Sequence, residues 1–104
     1  MGFENSAAYV ASKHGVVGVT KAAALEYARK NVRVNSIGPG FIYTGLVNEE
    51  TMGKEALTSL EQKHAFGRLG NAQEVAELIL FLASDKASFV TGSYYPVDGG
   101  YLAA

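Results

Sequence analysis

From Ala7 to about Lys30 the chain reads as one long helix, whose stretch from Ala8 to Leu25 carries only the two charges of Lys13 and Lys21. Between Ala8 and Leu25 the ionisable side chains are Tyr9, Lys13, His14 and Lys21. A helix apolar nearly all round has to be covered on more than one side, which excludes a free-standing surface helix. Ala8, Ala11, Gly15, Gly18 and Ala22 recur along one side at helical spacing, a stripe that lets another backbone approach closely. Glycine inside a helix costs roughly 1 kcal/mol against alanine, so Gly15 and Gly18 are expected in tight packing. Accidental glycines on an exposed face are the alternative. Asn5 and Ser6 are both candidate caps ahead of the helix.

The remaining elements alternate in type. Val32–Ile37 alternates apolar and polar residues at period two and is rich in β-branched side chains, the pattern of a strand that Gly38-Pro39-Gly40 ends. Thr44-Gly45-Leu46 opens a turn, and Glu49 to about Lys63 reads as a polar, moderately amphipathic helix, with Gly67 and Gly70 bracketing a loop after it. Asn71 followed by Glu74 is a capping box, and Val75, Leu78, Ile79 and Leu82 lie at i, i+3, i+4 and i+7, predicting a helix over 72–84. Tyr94 to Asp98 is a short strand in which Pro96 requires an edge or a non-pairing position. Two strands separated by helices should be parallel with a right-handed connection. Two strands make no independent sheet, so further parts of the layer are expected outside these 104 residues.

The length allows one domain. Nine basic against ten acidic residues argue against nucleic acid as a partner. The absence of cysteine removes disulfides and thiolate chemistry, and fits a cytoplasmic location. No apolar run reaches the roughly 18 residues of a membrane span, and the start does not read as a signal peptide. His14, His64 and the glutamates at 49, 50 and 55 show no ligand spacing, so no metal site is expected. Leu57, Leu60 and Phe66 fit ordinary core somewhat better than a substrate pocket.

Tyr9 and Lys13 stand four apart on the long helix, one turn from each other on one face. A phenol with an ordinary pKa near ~10 exchanges protons poorly at neutral pH, and a fixed ammonium nearby favours the phenolate. The pair can therefore act as a general acid or base. Taken alone the pair is a weak signal, read more readily as a buried tyrosine with a surface lysine at chance spacing.

The longer series narrows that choice. Tyr9-Val-Ala-Ser-Lys13, Asn31-Val-Arg-Val-Asn35, Pro39-Gly40-Phe-Ile42-Tyr-Thr44, Gly67-Arg68-Leu-Gly70 with Glu74-Val75-Ala76, and Val97-Asp98-Gly99-Gly100 follow in order. Over essentially the whole chain, this resembles the C-terminal half of a short-chain dehydrogenase/reductase. The resemblance implies an α/β fold, the C-terminal portion of a Rossmann-type doubly wound parallel sheet in the order helix-strand-helix-helix-strand. Residues 1–104 would be one partial domain, with 44–67 its variable substrate lid. It implies an NAD(P)-dependent oxidoreductase interconverting an alcohol and a carbonyl. Tyr9 and Lys13 would be catalytic, Lys13 also holding the cofactor ribose. Pro39, Gly40 and Ile42 would face the nicotinamide carboxamide, and Thr44 would bond the cofactor or simply cap a helix. It further implies a small-molecule substrate and a homo-oligomer.

The sequence also departs from the family. It has no glycine-rich phosphate turn after a first strand, and Ser6 and Ser12 are out of register for the family's catalytic serine. NAD and NADP are therefore not distinguished, and the chain alone is expected to be inactive and to associate. An enoyl reductase is disfavoured, because that subgroup separates tyrosine and lysine by six residues, where this chain has Val16. A non-catalytic oligomerisation module is the alternative of another class.

Overall fold

The computed structural model describes residues 6–101, apart from the side chains of Ser6 and Tyr9. Asn5 lies outside the described residues, and Ser6 opens the long helix. In order, the elements are α1 (Ser6–Tyr27), a 3-10 turn (Ala28–Lys30), β1 (Ser36–Pro39), α2 (Glu49–Met52) and α3 (Lys54–Gln62), followed by α4 (Ala72–Ala83), a second 3-10 turn (Asp85–Ala87) and β2 (Tyr94–Val97). No helix among the described residues is long and apolar enough to cross a membrane.

The two strands pair in parallel, as expected. The Ser36 N–H donates to the Ser93 carbonyl and the Gly40 N–H to the Val97 carbonyl, both at 3.0 Å. In a parallel ladder alternate residues face opposite ways. Pro39 therefore turns its nitrogen away from β2, and Pro96 turns its own away from β1. This register explains a difference from the sequence reading: Gly38-Pro39 does not end β1 but lies within it, since the missing donor falls on the side that needs none.

The strand expected over Val32–Ile37 begins only at Ser36. Opposite Val34 and Asn35 the chain turns around Gly92, at a left-handed φ of 80°, and of a backbone ladder one bond forms, from the Gly92 N–H to the Val34 carbonyl at 2.8 Å. Side chains make the other bonds. The Asn35 Nδ2 donates to the Val90 carbonyl at 2.8 Å, Ser93 N–H donates to Asn35 Oδ1 at 3.2 Å, and Val34 N–H donates to Thr91 Oγ1 at 3.0 Å.

The chain gathers into two compact units, one running from α1 to Ser36 with Ala87–Tyr95, the other comprising Ile37–Lys86 with the segment from Pro96. In the first, Thr20, Ala24 and Ala87 are buried. Thr20 Oγ1 donates to the Val16 carbonyl at 2.7 Å and lies 2.9 Å from Ser36 Oγ, tying the middle of α1 to the start of β1. Asn31 ends the helical stretch in the left-handed conformation at φ 63°, returning its N–H to Ala28. The expected close packing at Gly15 and Gly18 is not found. A Cβ at either position would meet nothing within 4 Å, and Val19 and Leu25 are 69% and 82% exposed. Among the described residues, the stripe and much of the apolar surface of α1 are uncovered.

In the second unit Leu69, Leu82 and His64 are buried. The capping box forms as expected, with Asn71 Oδ1 accepting from Glu74 N–H and the Glu74 carboxylate accepting from Asn71 N–H, both at 3.1 Å. The single helix expected from Glu49 to Lys63 is two. Gly53, at φ 85° and ψ 156°, is both the last cap of α2 and the first of α3, a conformation that glycine adopts without strain.

Just past the end of β1, Gly40 is closely packed. A Cβ there would lie 2.7 Å from Asp98 Cβ and 2.9 Å from Asp98 Cα, atoms that move only with their backbone. Gly40→Ala is expected to destabilise by about 1–3 kcal/mol, as overpacking does, read from urea unfolding. Gly45→Ala, where the added methyl meets nothing within 4 Å, serves as the near-neutral control.

Candidate active site

Two groups of the expected site residues can be built from the elements that carry them. Tyr9 and Lys13 lie on α1, about 6 Å apart along its axis. The Tyr9 side chain is outside the described set. The Lys13 Nζ stands 5.2 Å from the centre of the Tyr94 ring, a cation–π contact that holds the ammonium over β2's first residue.

Pro39, Gly40, Ile42 and Thr44 belong to β1 and the turn that follows it. The Gly70 N–H donates to the Phe41 carbonyl at 3.2 Å, and the Tyr43 N–H donates to the Gly70 carbonyl at 2.9 Å. This one-residue parallel bridge between Ile42 and Gly70 extends the strand path past Pro39. By the same alternation, the N–H and C=O of Ile42 face away from Gly70, and neither has a hydrogen-bond partner among the described residues.

Thr44 is committed on three sides. Its N–H donates to the Val47 carbonyl at 3.1 Å, its Oγ1 accepts from the N–H groups of Leu46 and Val47 at 3.1 and 3.0 Å, and its carbonyl accepts from Asn48 Nδ2 at 2.8 Å. Thr44 thus holds the turn that leads into α2, but it is not a helix cap as the alternative reading expected: the N-cap of α2 is Asn48. Its hydroxyl proton is left without an acceptor among the described residues.

Several residues of this unit were not singled out from the sequence. The Tyr43 phenol donates to Glu61 Oε2 at 2.7 Å and accepts from the Leu69 N–H at 3.2 Å. The Glu61 carboxylate raises the Tyr43 pKa above its ordinary 10.0, burial adding to the effect while the Leu69 N–H and the Arg68 charge oppose it. Nothing in the spacing of Tyr43 and Glu61 marks them as partners, since one lies in a turn and the other near the end of a helix.

His64 is buried against Phe41 and Tyr101, with ring centres 6.0 and 4.9 Å away, and its Nδ1 donates to the Leu60 carbonyl at 3.0 Å. His14 is exposed on α1. Among the described residues no group of three or more acidic residues or histidines could hold a metal ion.

A shallow concavity of about 300 Å³ is walled by Phe66, Arg68, Glu74, Val97, Asp98 and Gly100. None of Pro39, Gly40, Ile42 or Thr44 lines it. Phe66, weighed above as pocket or core, is 73% exposed at its edge. The wall carries a bidentate ion pair, Arg68 Nη1 and Nη2 each 2.9 Å from a Glu74 oxygen.

A family model described as enoyl-(acyl carrier protein) reductase matches residues 1–102. Cyclohexanol dehydrogenase of Acinetobacter sp. (strain SE19) is 54% identical over 101 residues, 97% of this chain and 38% of the relative. The structure of 4-hydroxyisoleucine dehydrogenase complexed with NADH superposes with a TM-score of 0.81 at 44% identity, over 94% of this chain and 40% of that one. The NADP-bound structure of ElxO gives 0.85 at 38% identity, over 100% of this chain and 42% of that one. The chain belongs to the short-chain dehydrogenase/reductase family and forms part of its Rossmann-type α/β fold. It spans about two-fifths of the length of the relatives it matches.

The ion pair has a measurable consequence. Arg68 first, and the Asn71 N–H second, hold the Glu74 carboxyl at about 2, below its ordinary 4.5. Its ionised form is favoured in the folded chain, so its contribution to stability is complete above about 4.5 and is lost as the pH falls through about 2. A carboxyl NMR titration should place Glu74 near 2, and Arg68→Ala should move it up toward the usual carboxylate range.

Proposed function

We propose that these residues serve an NAD(P)-dependent oxidoreductase that interconverts a small-molecule alcohol and its carbonyl by hydride transfer. The observation that carries the reading is the Ile42–Thr44 turn. Among the described residues, the Ile42 N–H, the Ile42 C=O and the Thr44 hydroxyl proton have no partner. A nicotinamide carboxamide has the complementary set, an acceptor oxygen for the Ile42 N–H and a donor NH₂ for the Ile42 carbonyl. The turn follows the end of a parallel strand, where open α/β layers receive their ligands. Pro39 and Gly40 shape its approach, and residues 44–67 are read as a substrate lid within one partial domain.

When bound, the nicotinamide supplies the hydride chemistry. The chain's own contribution is to proton transfer and orientation. In alcohol oxidation the Tyr9 phenolate takes the hydroxyl proton, and in the reverse direction the phenol returns it to the carbonyl oxygen. The Lys13 ammonium, one turn on, favours the phenolate and donates to the ribose hydroxyls. Thr44 donates its hydroxyl proton to the cofactor while continuing to hold the turn. The three-residue gap between Tyr9 and Lys13 favours alcohol and carbonyl substrates over enoyl ones, whatever the description of the matching family model. The named activities of cyclohexanol dehydrogenase and 4-hydroxyisoleucine dehydrogenase favour a hydroxyl-bearing substrate in the same way. A cysteine-free chain of this kind suits the cytoplasm.

A second reading, a non-catalytic assembly module, is favoured by one observation. Val19 and Leu25 on α1, and Leu80 on α4, are each more than two-thirds exposed. Either reading leads us to propose self-association through these apolar surfaces. We also propose that the 104 residues alone are inactive, since no stretch of this sequence supplies a glycine-rich turn leading into a helix N-terminus for the pyrophosphate.

Two measurements separate the readings. The chain alone should oxidise no NADH above a Tyr9→Phe control. A chimera in which these residues replace the matching part of the Acinetobacter cyclohexanol dehydrogenase should turn over, and Tyr9→Phe within it should lose about 10²–10⁴-fold in kcat while retaining cofactor affinity. A folded, cofactor-binding chimera without turnover would sink the enzyme reading and leave the module.

A further inference from the structure

We propose that Tyr43 is a positioning residue whose phenol ties the end of the lid, at Glu61 on α3, to the Ile42–Thr44 turn, so that lid and turn move as one body. The functional weight of that turn rests on the oxidoreductase reading above. The tether itself rests on geometry alone.

Tyr43 is fixed at both ends. Its N–H is given to the Gly70 carbonyl at 2.9 Å, which sets its register between Ile42 and Thr44. Its phenol oxygen sits on the N–H of Leu69, a fully buried residue, at 3.2 Å, and from there donates to Glu61 Oε2 at 2.7 Å. A phenol donating to a carboxylate makes a charge-assisted bond, stronger than a neutral one. The raised Tyr43 pKa follows from the same bond and keeps the proton on the phenol, where it can be donated.

The other end of the lid returns to the same turn. Asn48 Nδ2 donates to the Thr44 carbonyl at 2.8 Å, while Asn48 Oδ1 accepts from Thr51 N–H at 3.0 Å and so caps α2. Thr51 Oγ1 closes back on the Leu46 carbonyl at 2.6 Å. Between these two pins the lid has one break, Gly53, which separates α2 from α3. The stretch from Thr44 to Glu61 is thus a loop whose beginning and end are both fastened to residues 43 and 44. A displacement of the turn reaches α3 directly through the phenol, without passing through the helices in between.

Amide hydrogen exchange on the chain tests this without cofactor or substrate. Tyr43→Phe and Glu61→Ala are each expected to speed exchange about two- to tenfold, the effect of one lost hydrogen bond, in α3 and at Tyr43 and Val47 of the turn together, leaving α4 unchanged. Glu61→Gln, whose amide oxygen still accepts the phenol proton, should exchange like the parent. Its Tyr43 phenol, followed by NMR of labelled tyrosine, should titrate closer to 10. Parent-like exchange in Glu61→Ala, or acceleration confined to α3, would overturn the proposal. So would equal acceleration in both Glu61 variants, which would assign the effect to charge rather than to the bond. The two Glu61 variants decide the matter even if Tyr43→Phe fails to fold. An inactive chimera would leave the exchange result standing, so the tether and the enzyme reading fail separately.

Discussion

The parallel register of β1 on β2 is the constraint on which the site depends. Once Gly40 N–H is given to the Val97 carbonyl, Gly40 lies against Asp98 with no room for a side chain. The chain then continues in the same sense to bridge Gly70 through Phe41 and Tyr43. Alternation leaves the Ile42 amide pointing the other way. A slip of one residue would turn every one of these groups over. It would also bring Pro39 into a donor position that it cannot fill. The two prolines thus act as register marks, permitted in one pairing and penalised in the neighbouring one.

Much of this was legible in the amino-acid sequence where the signals are local. The Asn71–Glu74 box, the apolar face of α4, the long α1 and the proline of β2 are read from spacing within a few residues, and all are present. The differences arise where a distant partner decides. Val32 to Asn35 has strand periodicity, but a strand needs a ladder, and the turn at Gly92 offers bonds to the Asn35 side chain instead. Gly53 was concealed inside a polar stretch whose amphipathic pattern runs across it, and only its positive φ separates α2 from α3. Gly15 and Gly18 were expected under a neighbouring backbone and have none among the described residues. Of the expected site, the Ile42 N–H and C=O and the Thr44 hydroxyl proton have no partner among the described residues. Nothing local marks Tyr43, because its two partners lie 18 and 26 residues away and one of them is a backbone N–H, which no side-chain pattern reveals.

The turn at Ile42–Thr44 shows how an irregular segment is made rigid without a hydrophobic core of its own. Loops run over surfaces and lack ladder bonds, so their polar groups must be satisfied locally. Here Thr44 alone takes up two N–H groups with Oγ1, one side-chain amide with its carbonyl and one carbonyl with its N–H. Each bond fixes a dihedral that a mobile loop would leave free, an ordering cost met on folding and not on binding. A ligand arriving at such a turn finds its donors and acceptors already aimed.

What remains for a ligand is then defined by subtraction. Of the polar groups on Ile42 and Thr44, those engaged by the protein are the ones that build the turn, and those without a partner among the described residues are the Ile42 N–H, the Ile42 C=O and the Thr44 hydroxyl proton. An exposed polar group left unpaired costs little while water reaches it, and much once a ligand displaces that water without replacing the bond. On the proposed reading, the turn discriminates by chemistry: a planar amide would satisfy both Ile42 groups, whereas an aliphatic or purely anionic group would leave at least one of them stranded. Threonine at position 44 serves both ends of this arrangement, because a hydroxyl can accept from the backbone that it orders while still offering its one proton outward. Serine would keep that double capacity, and valine, of nearly the same shape, would lose both the order of the turn and the contact it presents.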